Sequence, residues 1–71
     1  MRKEYYVNKD SSNNPNYNHE VHTADCHLLP SPGNRDYLGF FSHCSEALRE
    51  AKKRYNNVDG CIHCCPECHR R

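Results

Sequence analysis

Tryptophan is absent from this 71-residue chain, methionine occurs once and glycine only three times. No apolar run reaches the roughly 7–15 residues of an export signal, or the roughly 20 of a membrane span. The expectation is therefore a cytoplasmic chain with no membrane contact, whose thiols stay reduced. A dominant charge is missing as well. The formal net charge is +1 and the pI is about 7.7, so no strongly basic field exists to hold nucleic acid by bulk electrostatics. Apolar material is scarce, at 35% of residues with a mean hydropathy of −1.13. A core of this size typically contributes only about 3–5 kcal/mol, and small scaffolds then need a staple. A single domain over residues 1–71 is expected, with no room for separate catalytic and regulatory units.

What the chain has instead is cysteine and histidine, six of each. Residues 59–69, DGCIHCCPECH, hold four of the cysteines and two of the histidines. In a reduced compartment such a cluster points to metal before disulfides or redox chemistry.

The remaining sequence predicts a small α+β domain stabilised by zinc. Tyr5-Tyr6-Val7 is a short strand-like run that pairs as a hairpin with Glu20-Val21-His22-Thr23. Between them, residues 8–19 read as a flexible loop, rich in Asn and Ser and containing Pro15. Leu29–Asn34 carries two prolines and a glycine and is not expected to be regular. Tyr37–Phe41 reads as a further strand, giving a short antiparallel sheet. The main helix is predicted over about 43–56, because Cys44, Ala47, Leu48, Ala51 and Tyr55 fall at offsets 0, 3, 4, 7 and 11. Ser42 is the expected N-cap, and Glu50 stands four residues before Arg54 in the favourable order for a surface pair. The segment 56–60 then turns the chain into a C-terminal cysteine knuckle.

Zinc takes four thiolate or imidazole ligands in a tetrahedron, commonly two from a C-x2-C loop that curls both sulfurs toward one centre. Cys61–Cys64 is one such knuckle and Cys65–Cys68 a second that abuts it. The neighbours Cys64 and Cys65 are not expected to be equivalent ligands of one site, since the backbone aims adjacent side chains apart. The second pair must then come from elsewhere, and His22-x3-Cys26 has the spacing for it. The candidate ligands are His22, Cys26, Cys61 and Cys64, with Cys65 and Cys68 as alternates for the late pair. Three thiolates and one imidazole around Zn²⁺ carry a net charge of −1, which nearby N–H groups or basic side chains offset.

His22-x3-Cys26, the aromatic run Tyr37–Phe41, Ser45-Glu46-Ala47-Leu48 and the late C-x2-C together resemble the Ada-type metal-binding domain, over residues 20–69. The chain from Val21 to His69 is also similar to short prokaryotic proteins that end in a DGCxxCCPxCH pattern. The resemblance implies a small sheet with helices holding one zinc between the early pair and the late C-x2-C. In the repair enzyme of that family the first early ligand is a cysteine that accepts a methyl group. His22 stands at that position here, and imidazole is a poor substitute for an activated thiolate.

The leftover residues fall into a second tier. Cys44 lies on the helix stripe and is expected to act as a small hydrophobe, or else to meet Cys65 or Cys68 under oxidation. Cys44, Cys65, Cys68 and His69 form a less favoured second ligand set. His19, His27, His43 and His63 are expected at the surface or behind the ligands. The leading functional expectation is a structural-zinc module that binds nucleic acid or another protein, with no small-molecule substrate and no catalytic motif. Its partner surface would be a sheet edge, Tyr5, Tyr6, Tyr17 and Tyr37, or a patch of Lys52, Lys53, Arg54, Arg70 and Arg71. The alternative is a thiol-based redox or alkyl-acceptor protein using the Cys65/Cys68 pair.

Overall fold

In the computed structural model, residues 2–12 and 17–70 are described. Among the described residues the main elements are four strands and one α-helix: β1 (Lys3–Asn8), β2 (His19–Thr23), β3 (Arg35–Phe41), α1 (Cys44–Lys52) and β4 (Val58–Gly60). The sheet order is β3-β1-β2-β4.

Alternation builds the core. Tyr5 and Val7 point to one side of β1, while Lys3 and Glu4 are exposed. The expected hairpin pairs Tyr5 with Thr23, Tyr6 with His22 and Val7 with Val21. On the other edge of β1, the register shifts between Tyr5 and Tyr6, which face Gly39 and Tyr37 respectively. This bulge makes Leu38 the extra residue, and its side chain is buried with Val7 and Val21. Helix α1 covers that face with Cys44, Ala47 and Ala51. The two alanines have no exposed surface. Their small side chains let the helix axis lie close to the sheet, which suits a chain with few large apolar residues.

The sheet is mixed rather than antiparallel, because β4 runs parallel to β2 and pairs His19 with Val58 and Val21 with Gly60. Asp and Gly disfavour strands, so the sequence of Val58–Gly60 reads as a turn. Tertiary pairing overrides that preference.

The helix is also shorter than its periodicity suggested. His43, not Ser42, is the N-cap, and its ring accepts the Ser45 N–H while Glu46 accepts the His43 N–H. Ser42 contributes instead through its own N–H and hydroxyl, both donated to Glu46 Oε1. At the other end the N–H groups of Arg54 and Tyr55 converge on the Ala51 carbonyl and close the helix. Tyr55 leaves the helical path because its hydroxyl donates to Asp36 at 2.8 Å and its ring stacks on His19. Glu50 pairs with Lys53 at 3.2 Å, not with Arg54.

Leu29–Asn34 is irregular apart from a 3-10 turn at Pro32–Asn34. The predicted loop 8–19 begins inside β1 and ends inside β2, and its residues 13–16, Pro15 among them, lie outside the described residues. Among the described residues no helix is long and apolar enough to cross a membrane.

Candidate metal centre

β2 supplies the first donor. Its alternation sends Val21 toward the helix and His22 to the opposite face, beside Tyr6. His22 is almost wholly buried, at 1% exposure, so both ring nitrogens need partners. Nδ1 lies 3.9 Å from the Cys64 sulfur. Nε2 lies 3.7 Å from Oε1 of Glu20, two residues back on the same face.

Cys26 follows from a turn that starts where β2 ends. Its N–H donates to the Thr23 carbonyl at 3.1 Å, and the Leu28 N–H points at its sulfur at 3.4 Å. Cys61 follows β4 directly. Its N–H donates to the Val21 carbonyl at 3.0 Å, so the parallel ladder sets its position beside β2. The chain then curls, with the Cys65 N–H donating to the Cys61 carbonyl at 2.8 Å. That turn carries Cys64 back over the sheet, where its sulfur accepts the Thr23 N–H at 3.4 Å.

The structure brings His22, Cys26, Cys61 and Cys64 together, with one donor atom from each lying within 4.8 Å of all the others. The sulfurs of Cys26 and Cys61 are 4.0 Å apart. A tetrahedral zinc with Zn–S bonds of about 2.3 Å has sulfur–sulfur edges of about 3.8 Å. The cluster could hold such an ion with little rearrangement. N–H groups aimed at Cys26 and Cys64 offset thiolate charge, and Glu20 behind His22 can hold the ring in one orientation.

Without a cation the thiols hold their protons. Burial pushes Cys61 up to about 12 and raises Cys26. Cys64 is raised by the hydrogen bond it gives to Cys65, with burial adding to it. Cys65, on the receiving end, is lowered for the same reason.

For the other cysteines the sequence-based expectation holds in part: Cys64 and Cys65 are not equivalent members of one four-donor group, and Cys44 meets Cys68. Adjacent Cys64 and Cys65 do not diverge; their sulfurs are 3.8 Å apart. The cause is the backbone at Cys65, whose φ of −132° and ψ of 53° precede the 3-10 turn Pro66–Cys68. Cys65 therefore sits behind Cys64, outside the four-donor group. Cys44 is not a free hydrophobe but is joined to Cys68 by a disulfide. That bond separates Cys65 from Cys68 as a dithiol pair. His69 lies away from both, with Nδ1 3.1 Å from the Gly60 carbonyl oxygen and 3.2 Å from Asp59 Oδ2.

A second cluster, His43, Cys44 and Cys68, also falls within 4.8 Å. The sequence reading did not assign His43 to it. Nothing in the sequence marks a capping histidine as a neighbour of a cysteine 25 positions along. His27 and His63 are exposed and meet edge to face, with ring centroids 5.3 Å apart. They flank an open depression of about 460 Å³ that leads to Cys26 and Cys64.

The chain matches no protein-family model, no curated protein and no solved structure. Fold and site together define a small α+β domain, rich in cysteine, whose Cys/His clusters could hold a metal ion.

Proposed function

We propose that this chain is a structural-zinc binding module of the Ada-type kind, with Zn²⁺ held by His22, Cys26, Cys61 and Cys64. The observation that carries this reading is the convergence of four donors from two segments distant in sequence, 22–26 and 61–64, within 4.8 Å. A cation there would tie β2 to the C-terminal knuckle, which suits a core built of small residues. Its role is to hold the fold, since all four tetrahedral positions are taken by protein and none is left for substrate. Histidine at position 22 fits that role, because a closed site needs a ligand and not a nucleophile.

The surface offered to a partner is the outer face of β3. Tyr37 and Phe40 are exposed there, and the Arg35 guanidinium lies 4.7 Å from the centre of the Tyr6 ring. Exposed aromatic rings beside a guanidinium suit single-stranded nucleic acid, whose bases stack on them. The helix end adds charge, since Lys52 and Arg70 line one groove; Arg71 lies outside the described residues.

Elemental analysis of reduced, purified protein tests the metal, and titration with a fluorescent oligonucleotide tests the partner. Zinc present in the wild-type chain and lost in His22→Ala along with the cooperative unfolding transition supports the module. A zinc-free chain that unfolds cooperatively overturns it. Binding that weakens steeply with salt and is lost in Tyr37→Ala supports the nucleic-acid surface; the absence of binding at low salt overturns it.

A further inference from the structure

The Cys44–Cys68 bond lies beside the His43 imidazole, which has a sulfur near one ring nitrogen and a carboxylate on the other. His43 Nδ1 is 3.9 Å from the Cys44 sulfur. Its Nε2 is 3.0 Å from Glu67 Oε2. The Ser45 N–H donates to Nδ1 at 3.1 Å, so Nδ1 carries the lone pair and Nε2 the proton given to Glu67. That lone pair is held by the Ser45 N–H, and the Ser45 hydroxyl lies 2.9 Å from the same nitrogen, so a metal at Nδ1 replaces the N-cap hydrogen bond while Nε2–H stays on Glu67. His22 also has a carboxylate on its Nε2 side and a sulfur on its Nδ1 side, though Glu20 is farther off at 3.7 Å.

We propose that His43, Cys44 and Cys68 form a second metal site, open to Zn²⁺ only after the Cys44–Cys68 bond is reduced. Their donor atoms already lie within 4.8 Å of one another. A cavity of about 160 Å³ adjoins them, lined in part by His43, Cys44, Cys65 and Glu67. It leaves a fourth coordination position for water or for the Cys65 thiolate. While the sulfurs are bonded to each other, neither is a thiolate and the site is closed to metal. A dithiol, or two monothiols, reduces the bond and itself becomes a disulfide. Two cysteine thiols are released, and they give up two protons as one cation binds. The disulfide and the metal are alternative cross-links of the same two segments, the start of α1 and the C-terminal knuckle. Oxidation thus exchanges one for the other while α1 stays tied to the C-terminal knuckle.

The proposal goes beyond the first centre and stands or falls separately from it. The full chain is loaded with zinc, and half is oxidised to the form lighter by two hydrogens; bound zinc is then counted in both. One equivalent is expected in the oxidised chain and two in the reduced chain. In the reduced state Cys68→Ser and His43→Gln should each lose the second equivalent, while Cys61→Ser should lose only the first. Glu67→Gln should weaken the second by about tenfold. Equal zinc in the two redox states overturns the proposal, and so does a second equivalent that survives both Cys68→Ser and His43→Gln. The redox comparison uses the wild-type chain, so it holds even if Cys68→Ser does not fold. Should the oxidised chain hold none and the reduced chain one that Cys68→Ser removes, the second site stands and the first centre falls.

Discussion

His22 and Cys64 are 42 residues apart in sequence, yet an imidazole nitrogen of one lies 3.9 Å from the sulfur of the other. The backbone enforces that approach from both sides. The Thr23 N–H reaches the same sulfur, and the Cys61 N–H reaches the Val21 carbonyl. A metal is not needed to explain why β2 and the knuckle meet. It would explain why buried thiols and a buried imidazole are gathered where they meet.

Glu20 stands 3.7 Å behind His22. Replacing it with Gln removes the negative charge on the Nε2 side of the ring, while leaving all four donors in place. The expected result for Glu20→Gln is a zinc affinity about tenfold lower with the stoichiometry unchanged, read by competition with a chromophoric chelator. An unchanged affinity would show that the carboxylate does not act on the ring.

Protons should leave as metal enters. Cys26, Cys61 and Cys64 all titrate above their ordinary range in the metal-free chain. At neutral pH each is therefore a thiol, and binding must displace about three protons per cation. Calorimetry in buffers of different ionisation enthalpy counts them. Affinity should rise steeply from pH 6 to 8. A release near zero would mean that thiolates are already present.

Gly60 allows a close approach of the C-terminal turn to β4. A Cβ built there would lie 2.8 Å from Cys68 Cβ and 2.9 Å from the Cys65 carbonyl oxygen. Much of this obstruction is backbone, so it cannot swing aside as a side-chain tip would. Gly60→Ala should cost about 1–3 kcal/mol, by pushing the C-terminal turn off β4. Urea denaturation measures the loss, and wild-type stability would show that the turn is free to move.

Glu46 gives a pH signature. Hydrogen bonds from the Ser42 hydroxyl and from the backbone of His43 and Ser42 hold its carboxyl below the usual range. A carboxylate lowered on folding stabilises the protein above its unfolded pKa of about 4.3, and that contribution is lost as pH falls through the folded value. The melting temperature of Glu46→Gln should therefore lie below that of wild type at pH 6, with the gap closing at lower pH. A gap independent of pH would mean that the cap works without its charge.

Much of the fold was legible because it rests on local rules. The strand-like runs Tyr5–Val7 and Glu20–Thr23 gave the hairpin, and the stripe Cys44–Ala47–Ala51 gave the buried helix face. The boundaries were not legible. Tyr55 fits the helical period, but its hydroxyl bond to Asp36 in β3 draws it off the helix. β4 is a strand only because β2 offers it a free edge.

The sequence by itself determined which residues are available as ligands. The spacings His22-x3-Cys26 and Cys61-x2-Cys64 confine each pair to one short turn, and local geometry then brings its two donors together. Only the tertiary structure decided how the pairs combine. The parallel ladder between β2 and β4 sets Cys61 beside Val21 and so joins the two pairs. The packing of α1 on the sheet sets Cys44 against Cys68 and leaves Cys65 behind Cys64. Spacing within a turn is written in the chain, whereas the meeting of distant turns depends on which strands pair and which faces are buried.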